Sequence, residues 1–368
     1  MVRREISRVL IYRLGSLGDA VIALPVFHLI SRVFPNADRV MLTNLRPGSK
    51  EPAAQQVLGN SGLVRRYINY RAGLRDPRSL VELRKELRTW KPQVLVYLAA
   101  ARSGPAVWRD ALFFALCGLR EIVGLPFTSR ASGCLPLGNG RYEPEAQRLA
   151  RCVAKLGDAR LEDPASWDLH LQPGEIAQAD GVLEFWRGRL QFVAVTIGTN
   201  LQANDWGVQN WELALNKISL RYPSLGLAII GSADDQKNAE LAAAGWLGPS
   251  INLCGKLSPR SSAVVMRQAL LYLGHDTGPM HLAAAMQVPC VGVFSARNPP
   301  GIWYPWGDGH KIIYHSVSCM GCKLEVCIAN AKKCITSISP DEVFNAASGI
   351  LDRRLAEPRN FGNSRLAN

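Results

Sequence analysis

No stretch of this 368-residue sequence is apolar for long enough to cross a bilayer. The longest charge-poor runs, around Ala20–Ile30 and Ala111–Leu119, fall well short of the roughly 18–20 residues that a spanning helix requires. The first residues, Met1-Val-Arg-Arg-Glu-Ile-Ser-Arg, lead straight into a strand-like run without an apolar core or a small-residue cleavage site, so no secretory signal is expected and the reading is cytoplasmic. Internal repeats and low-complexity tracts are also lacking. With 48% hydrophobic and 20% charged residues, disorder, collagen and coiled coil are excluded. Acidic residues are scarce in the first half: residues 1–170 hold 26 Lys and Arg against 15 Asp and Glu, whereas residues 171–368 hold 17 against 15. Clustered cations suit nucleic acid, an anionic membrane surface or an acidic substrate. No nucleic-acid motif favours the first of these, so no nucleic-acid partner is expected, and a merely solvated basic surface is the plainer alternative. The nine cysteines are an odd number, which in this setting favours reduced thiols or a metal site over a disulfide framework.

What is present reads as two α/β domains, consistent with about 100–200 residues per domain. Arg8–Arg13 is a short buried-strand pattern, followed by Leu14-Gly-Ser-Leu-Gly-Asp19 and a helical run over Ala20–Phe34, with Asp19 placed to cap the helix. A strand at Arg39–Thr43, a helix at Leu80–Thr89 and a strand at Val94–Leu98 continue an alternation that predicts a parallel sheet. The pattern pauses over Pro164–Gly181 and restarts with the strand Phe192–Ile197. Strand Gly226–Ile230, helix Asp234–Ala244, strand Ala269–Gly274, helix Pro279–Met286 and strand Pro289–Phe294 follow, and Ser339–Leu351 begins like a capped helix. The expected division is 1–170, 171–340, and a terminal helix and tail over 341–368 that packs back on the N-terminal domain.

Three segments carry chemistry. In Leu273-Gly-His-Asp276-Thr277-Gly278-Pro-Met-His281, a strand ends where a helix begins, and Pro279 fits the first helical turn because its missing N–H is not needed there. The free amides of that turn and the helix dipole suit a diphosphate, and His281 could add a donor; a structural helix with an incidental histidine is the alternative. Cys319, Cys322, Cys327 and Cys334 fall in a C-x2-C-x4-C-x6-C spacing that suits a structural zinc or iron, or else reduced thiols packing a loop. Arg65, Arg66, Arg71 and Arg75, then Arg102, Arg109 and Arg120 around the apolar Ala111–Leu116, offer guanidinium forks for phosphates and sugar-acid carboxylates. Aromatic and aliphatic bulk in the same region suits a membrane surface.

The wording of Asp276-Thr-Gly-Pro-Met-His-Leu-Ala-Ala-Ala285, with Val288-Pro-Cys-Val and Pro299…Trp303-Tyr-Pro-Trp306, resembles the nucleotide-binding stretch of the ADP-heptose:lipopolysaccharide heptosyltransferases, glycosyltransferase family 9. Leu10-Ile-Tyr-Arg-Leu-Gly-Ser-Leu-Gly-Asp-Ala-Val-Ile-Ala-Leu-Pro25 is similar to that family's N-terminal landmark. The resemblance covers essentially the whole chain. It implies an α/β, GT-B architecture of two Rossmann-like domains facing each other across a cleft, acceptor-binding first and donor-binding second. It also implies that Asp19 is the general base of an inverting transfer, with helix capping as the plainer role. Thr199 and Asn200 would contact the donor diphosphate, and Asp234 or Asp235, the latter preferred, would contact the ribose. Where the family carries a lysine just before the tryptophan, Asn204 precedes Asp205 and Trp206, and Arg297 is a candidate substitute cation. The implied partners are a nucleotide-diphosphate sugar, ADP-heptose first, an anionic glycolipid acceptor and the inner-membrane surface. No cofactor is implied for catalysis, although some relatives have a Cys-bound iron. A non-catalytic sugar-nucleotide-binding member and a sugar-nucleotide epimerase are the rival readings.

Overall fold

Short β-branched runs alternating with amphipathic segments do not pair as hairpins; most strands return through a helix, and the sheets are parallel. In the computed structural model, which describes residues 6–45, 51–70, 77–100, 102–128, 132–138, 140–186 and 189–356, the chain forms two units, Met1–Gln172 with Pro299–Trp306, and Pro173–Asn298 with Gly307–Asn368.

The first unit runs β1 (Arg8–Tyr12), α1 (Leu17–Ile22), α2 (Leu24–Val33), β2 (Asp38–Asn44), α3 (Ala53–Leu58), β3 (Arg66–Tyr70), α4 (Pro77–Trp90), β4 (Val94–Tyr97), α5 (Gly104–Leu116), β5 (Glu121–Val123) and α6 (Glu145–Cys152). Its sheet has the order β3-β2-β1-β4-β5, with every pairing parallel. The single helix expected over Ala20–Phe34 is two, because Pro25 in the first turn of α2 has no N–H to continue the α1 ladder. One face of the sheet packs Leu10, Val40, Ile68, Leu95 and Tyr97 against Leu83 and Leu87 of α4 and Phe114 of α5.

The second unit begins with α7 (Pro173–Val182) and continues β6 (Phe192–Thr196), α8 (Val208–Arg221), β7 (Gly226–Ile229), α9 (Gln236–Ala243), β8 (Ser250–Asn252), α10 (Pro259–Arg267), β9 (Leu271–His275), α11 (Gly278–Ala285), β10 (Cys290–Phe294), β11 (Lys311–Tyr314), α12 (Lys333–Thr336) and α13 (Pro340–Ala356). The order β11-β10-β9-β6-β7-β8 is again parallel throughout. The helix expected from Asp234 begins at Gln236, after a 3-10 turn over Ala233–Asp235.

Within the second unit, α13 buries Val343, Ala347, Ile350 and Leu351 in the core beside Trp206 and Trp211. The cause lies in its sequence, since those four residues recur at helical spacing and form one apolar stripe. Residues 357–368 lie outside the described residues.

Trp206 joins the pieces of this core. Its indole N–H donates to the Ile338 carbonyl just before α13, and its ring meets Trp211 edge to face at 4.9 Å. Trp206→Ala removes both and leaves a cavity, so it should cost about 3–5 kcal/mol in urea denaturation.

Candidate functional site

In open parallel sheets, the loops after the strands' C-terminal ends carry ligands, because helix N-termini and unpaired backbone groups collect there. In the first unit that edge holds the loop between β1 and α1. Gly15 has φ +151°, and a Cβ there would lie 2.4 Å from Asp19 Cγ, so only glycine lets the Asp19 carboxylate fold back over the turn. Asp19 Oδ2 accepts from the Ser16 backbone N–H and from Ser16 Oγ, both at 2.7 Å, forming a capping box. Its Oδ1 pairs with Arg13 Nη2 at 3.2 Å, and the side chain remains 17% exposed. Helix capping is therefore present, as expected for Asp19, and part of the carboxylate still faces solvent.

Arg13 is only 1% exposed and is the centre of a charge chain that the sequence did not reveal. Its Nη1 donates to the Leu98 carbonyl at 2.7 Å and to Glu145 Oε1 at 3.3 Å, and its Nη2 donates to the Asp19 carbonyl at 3.0 Å. Glu145 also takes Arg148 Nε at 2.6 Å and Nη2 at 2.7 Å. Burial opposes ionisation of Glu145, but the bonds from Arg148 and the charges of Arg148 and Arg13 outweigh it and hold the carboxyl below its ordinary range. The signals available were a lone charge ending an apolar strand, and a Glu and an Arg at i,i+3.

The arginines expected to bind acceptor are not gathered in one place. Arg102 and Arg109 both meet the buried carboxylate of Asp110, at 2.6 and 2.8 Å, and Tyr97 OH donates to it at 2.8 Å. Arg102 also lies over the Tyr12 ring at 5.6 Å, at the end of β1. Burial pushes the Tyr12 hydroxyl up to about 12, against the opposing charge of Arg102. By contrast, the Arg65 N–H bonds the Arg39 carbonyl and Arg66 starts β3, which puts both toward the N-terminal edge of the sheet, away from the Asp19 loop. Arg66 pairs there with Glu86 at 3.1 Å and covers Trp90. Their grouping with Arg102 and Arg109 fails because strand register, invisible in spacing, separates them. Arg120 is exposed before β5, and Arg71 and Arg75 lie outside the described residues.

In the second unit, three loops meet at the C-terminal ends of β6, β9 and β10. Thr277 precedes α11, and Asp276, Thr277 and Gly278 are partly exposed there. The Thr277 side chain makes no cap bond to this helix, and its first turn is where an anion would be favoured. His281, one turn in, is almost fully buried, and burial pushes its imidazole down to about 3, aided by His310. Any bond it offers is from a neutral ring. Thr199 Oγ1 accepts the Leu201 N–H at 3.2 Å, and Asn200 beside it is exposed. Asp235 Oδ2 accepts from Ser232 N and Oγ at 2.8 and 2.7 Å, and its carboxylate lies against Gly198, where a Cβ would be 2.2 Å from Oδ1.

Asn204, which stands where the family's lysine is expected, is drawn into the protein. It is 2% exposed, and its amide is used at both ends, Nδ2 donating to the Asp276 carbonyl at 3.3 Å and Oδ1 accepting from Ser295 Oγ at 2.6 Å. The residue ties the β6, β9 and β10 loops together. Arg297 is braced as well, donating to the carbonyls of Leu324 at 2.8 Å and Lys323 at 3.0 Å. A cation the sequence reading missed stands nearby: Lys332 Nζ donates to the Asp205 carbonyl at 2.8 Å and lies 3.4 Å from its carboxylate. His275 was missed too. Its Nε2 accepts from the Trp206 backbone and the Trp211 indole, both at 3.2 Å, so the proton belongs on Nδ1.

The four cysteines lie in a segment docked on these loops, with the Cys327 N–H on Gln202 Oε1 at 2.8 Å and the Ala203 N–H on the Glu325 carbonyl at 3.0 Å. All four are free thiols, ranging from buried Cys327 to exposed Cys322. Among the described residues no three His, Cys, Asp or Glu side chains are grouped to hold a metal ion, so the soft donor set that the spacing suggested is not assembled.

Two Rossmann-like parallel units, one with a glycine loop carrying an acid and one with an open helix N-terminus, make this a GT-B protein. The chain belongs to glycosyltransferase family 9 (heptosyltransferase), whose family model matches residues 107–333. Lipooligosaccharide heptosyltransferase 2 of Campylobacter jejuni is 28% identical over 101 residues, 27% of this chain and 31% of that protein, so the match spans under a third of the curated relative. A family 9 glycosyl transferase from Veillonella parvula has a similar structure, with TM-score 0.72 and 16% identity over 96% of this chain and 99% of that one. ADP-heptose LPS heptosyltransferase II of E. coli gives 0.62 and 15% over 95% and 100%. At these identities the structural likeness is one of fold.

Two outcomes follow. Asn204→Lys buries an ammonium and breaks both loop ties, so it should lower stability by about 2–4 kcal/mol in urea denaturation and give no gain in nucleotide affinity. Burial also pushes His275 down to about 4, against the opposing charge of Asp205, while His281 sits at about 3. The unfolded chain protonates both near 6.5, so their contribution to stability is complete above that pH and is lost as pH falls toward 4 and then 3. Denaturation midpoints should decline over that window, and His281→Gln should flatten the decline.

Proposed function

We propose that this chain is an inverting glycosyltransferase that moves heptose from ADP-heptose to an anionic glycolipid of lipopolysaccharide biosynthesis, presented at the inner-membrane face, with Asp19 as general base. The observation that carries the reading is the Asp19 carboxylate, seated by Gly15 and Ser16 at the C-terminal edge of β1 and still partly exposed. Family membership gives the reaction class, and the ADP-heptose LPS heptosyltransferase of similar fold supports the donor.

In this reading an acceptor hydroxyl attacks the anomeric carbon on the face opposite the diphosphate. As the new C–O bond forms, the hydroxyl proton passes to Asp19, the bond from carbon to the diphosphate breaks, and the nucleoside diphosphate leaves. Oδ1 is the oxygen that receives the proton, since Oδ2 already accepts two bonds from Ser16 whereas Oδ1 has Arg13 alone among side-chain donors. The α11 amides at Gly278 and the hydroxyl of Thr199, with Asn200, hold the departing charge, and Asp276 and Asp235 orient the nucleotide. Arg102 and Arg109 keep a share of positive charge for the acceptor's anionic groups. No step uses a metal.

Asp19→Asn keeps the cap and removes the base. It should retain the fold and ADP binding while acceptor-dependent ADP release falls about 100–10,000-fold. Wild-type turnover in that variant would leave Asp19 a helix cap, and ADP binding without any acceptor-dependent release in the wild type would favour the non-catalytic reading.

A further inference from the structure

The side of α5 that faces solvent is unlike an ordinary solvated helix face. Val107, Asp110 and Phe114 point into the first unit's core, as the helix period requires, which turns Pro105, Trp108, Arg109, Leu112, Ala115 and Leu116 outward. Trp108, Leu112 and Leu116, at i, i+4 and i+8, are 66%, 62% and 52% exposed. Phe127 extends the stripe, 52% exposed with its ring 4.8 Å from that of Trp108. Large apolar residues exposed singly are commonplace, but four forming one patch mark a contact surface.

The rim of the patch selects the partner. Arg84 donates from α4 to the Leu116 carbonyl at 3.2 Å, and the charges of Arg84 and Arg88 both bear on Cys117 at the end of α5. Val81, 64% exposed, shares the α4 face with Arg84 and Arg88. Arg109 stands on the exposed face of α5 itself, 70% exposed, and Arg120 follows the helix. No acidic residue lies on that exposed face among the described residues. Apolar anchors, one of them a tryptophan, inside a ring of arginines match the interfacial layer of an anionic bilayer, where rings sit at headgroup depth and guanidiniums meet lipid phosphates.

We infer that the α5 face, with Trp108, Leu112, Leu116 and Phe127 as anchors and Arg84, Arg88 and Arg120 as its rim, docks the protein on an anionic membrane. The inference deepens the glycolipid reading, on which it rests for its purpose. α5 begins beside Arg102, which covers Tyr12 at the end of β1, so the docking face is continuous with the strand edge that carries the Asp19 loop. A lipid-anchored acceptor would then reach that edge with its acyl chains still in the bilayer.

The test is co-sedimentation of the full chain with phosphatidylcholine vesicles, with and without phosphatidylglycerol, comparing wild type with Trp108→Ser/Leu112→Ser. Wild type should bind only the anionic vesicles, and the double variant should bind at least about tenfold more weakly, with unchanged melting temperature and ADP affinity. Absence of wild-type binding, or equal binding by the double variant, overturns the inference, the latter assigning membrane affinity to general basic charge. A concentration-dependent wild-type dimer that the double variant abolishes in sedimentation also overturns it, since a second copy would cover the face. Acceptor-dependent ADP release with a deacylated, soluble acceptor and no vesicles tests the glycosyltransferase reading separately and should be the same in both proteins.

Discussion

A guanidinium that is almost wholly withdrawn from water must have its donors satisfied, and in the first unit that requirement at Arg13 organises the functional edge. Its partners come from three places in the chain: the Leu98 carbonyl after β4, the Asp19 carbonyl and carboxylate in α1, and Glu145 at the start of α6. Removing any one partner would strand a buried charge, which is far costlier than losing an exposed one. The glycine loop is thus held by long-range electrostatics as much as by its own turn. Asp19 is oriented by a cation whose other side is neutralised by Glu145, and Glu145 in turn leans on Arg148.

The second unit solves the same problem with neutral groups. Three loops follow three adjacent strands, and their backbone polar groups must be paired as the loops pack together. The Asn204 amide and the His275 ring do this, each accepting or donating across strand ends. What these ties leave is the first turn of α11 and the hydroxyl-bearing loop at Thr199, where positive ends of peptide dipoles collect. Lys332 and Arg297, both bound to backbone carbonyls of the surrounding loops, make up the cationic character of this wall.

Much of the chain was legible in one dimension. Strand and helix periodicity gave both parallel sheets because the strands, buried on two faces, read as unbroken apolar runs, and glycine and proline at fixed offsets marked the two loops. Asp19 and the segment Asp276–His281 were legible because their function depends on local geometry: a turn that needs Gly15, and a helix start that tolerates Pro279. The role of Asn204 as a tie between loops was not legible, for the opposite reason. Its neighbours in sequence place it in a ligand loop, while its partners, Asp276 and Ser295, are 72 and 91 residues away. The four-cysteine spacing likewise resembled a metal motif without the backbone bringing the sulfurs into one shell.

The sequence by itself determined the class of fold, the division into two α/β units, the basic first half and the two loops on which chemistry depends, since all of these follow from periodicity, composition and local turn requirements. Tertiary structure alone decided which charges are spent and which remain available. Register put Arg65 and Arg66 toward the edge away from Arg102, burial turned Arg13, Glu145 and Asn204 into internal ties, and helix rotation turned Phe114 inward and Trp108 outward on the one helix α5. The physical reason is that the worth of a polar or apolar side chain depends on how much water surrounds it and what lies across from it, and neither is set by its neighbours along the chain.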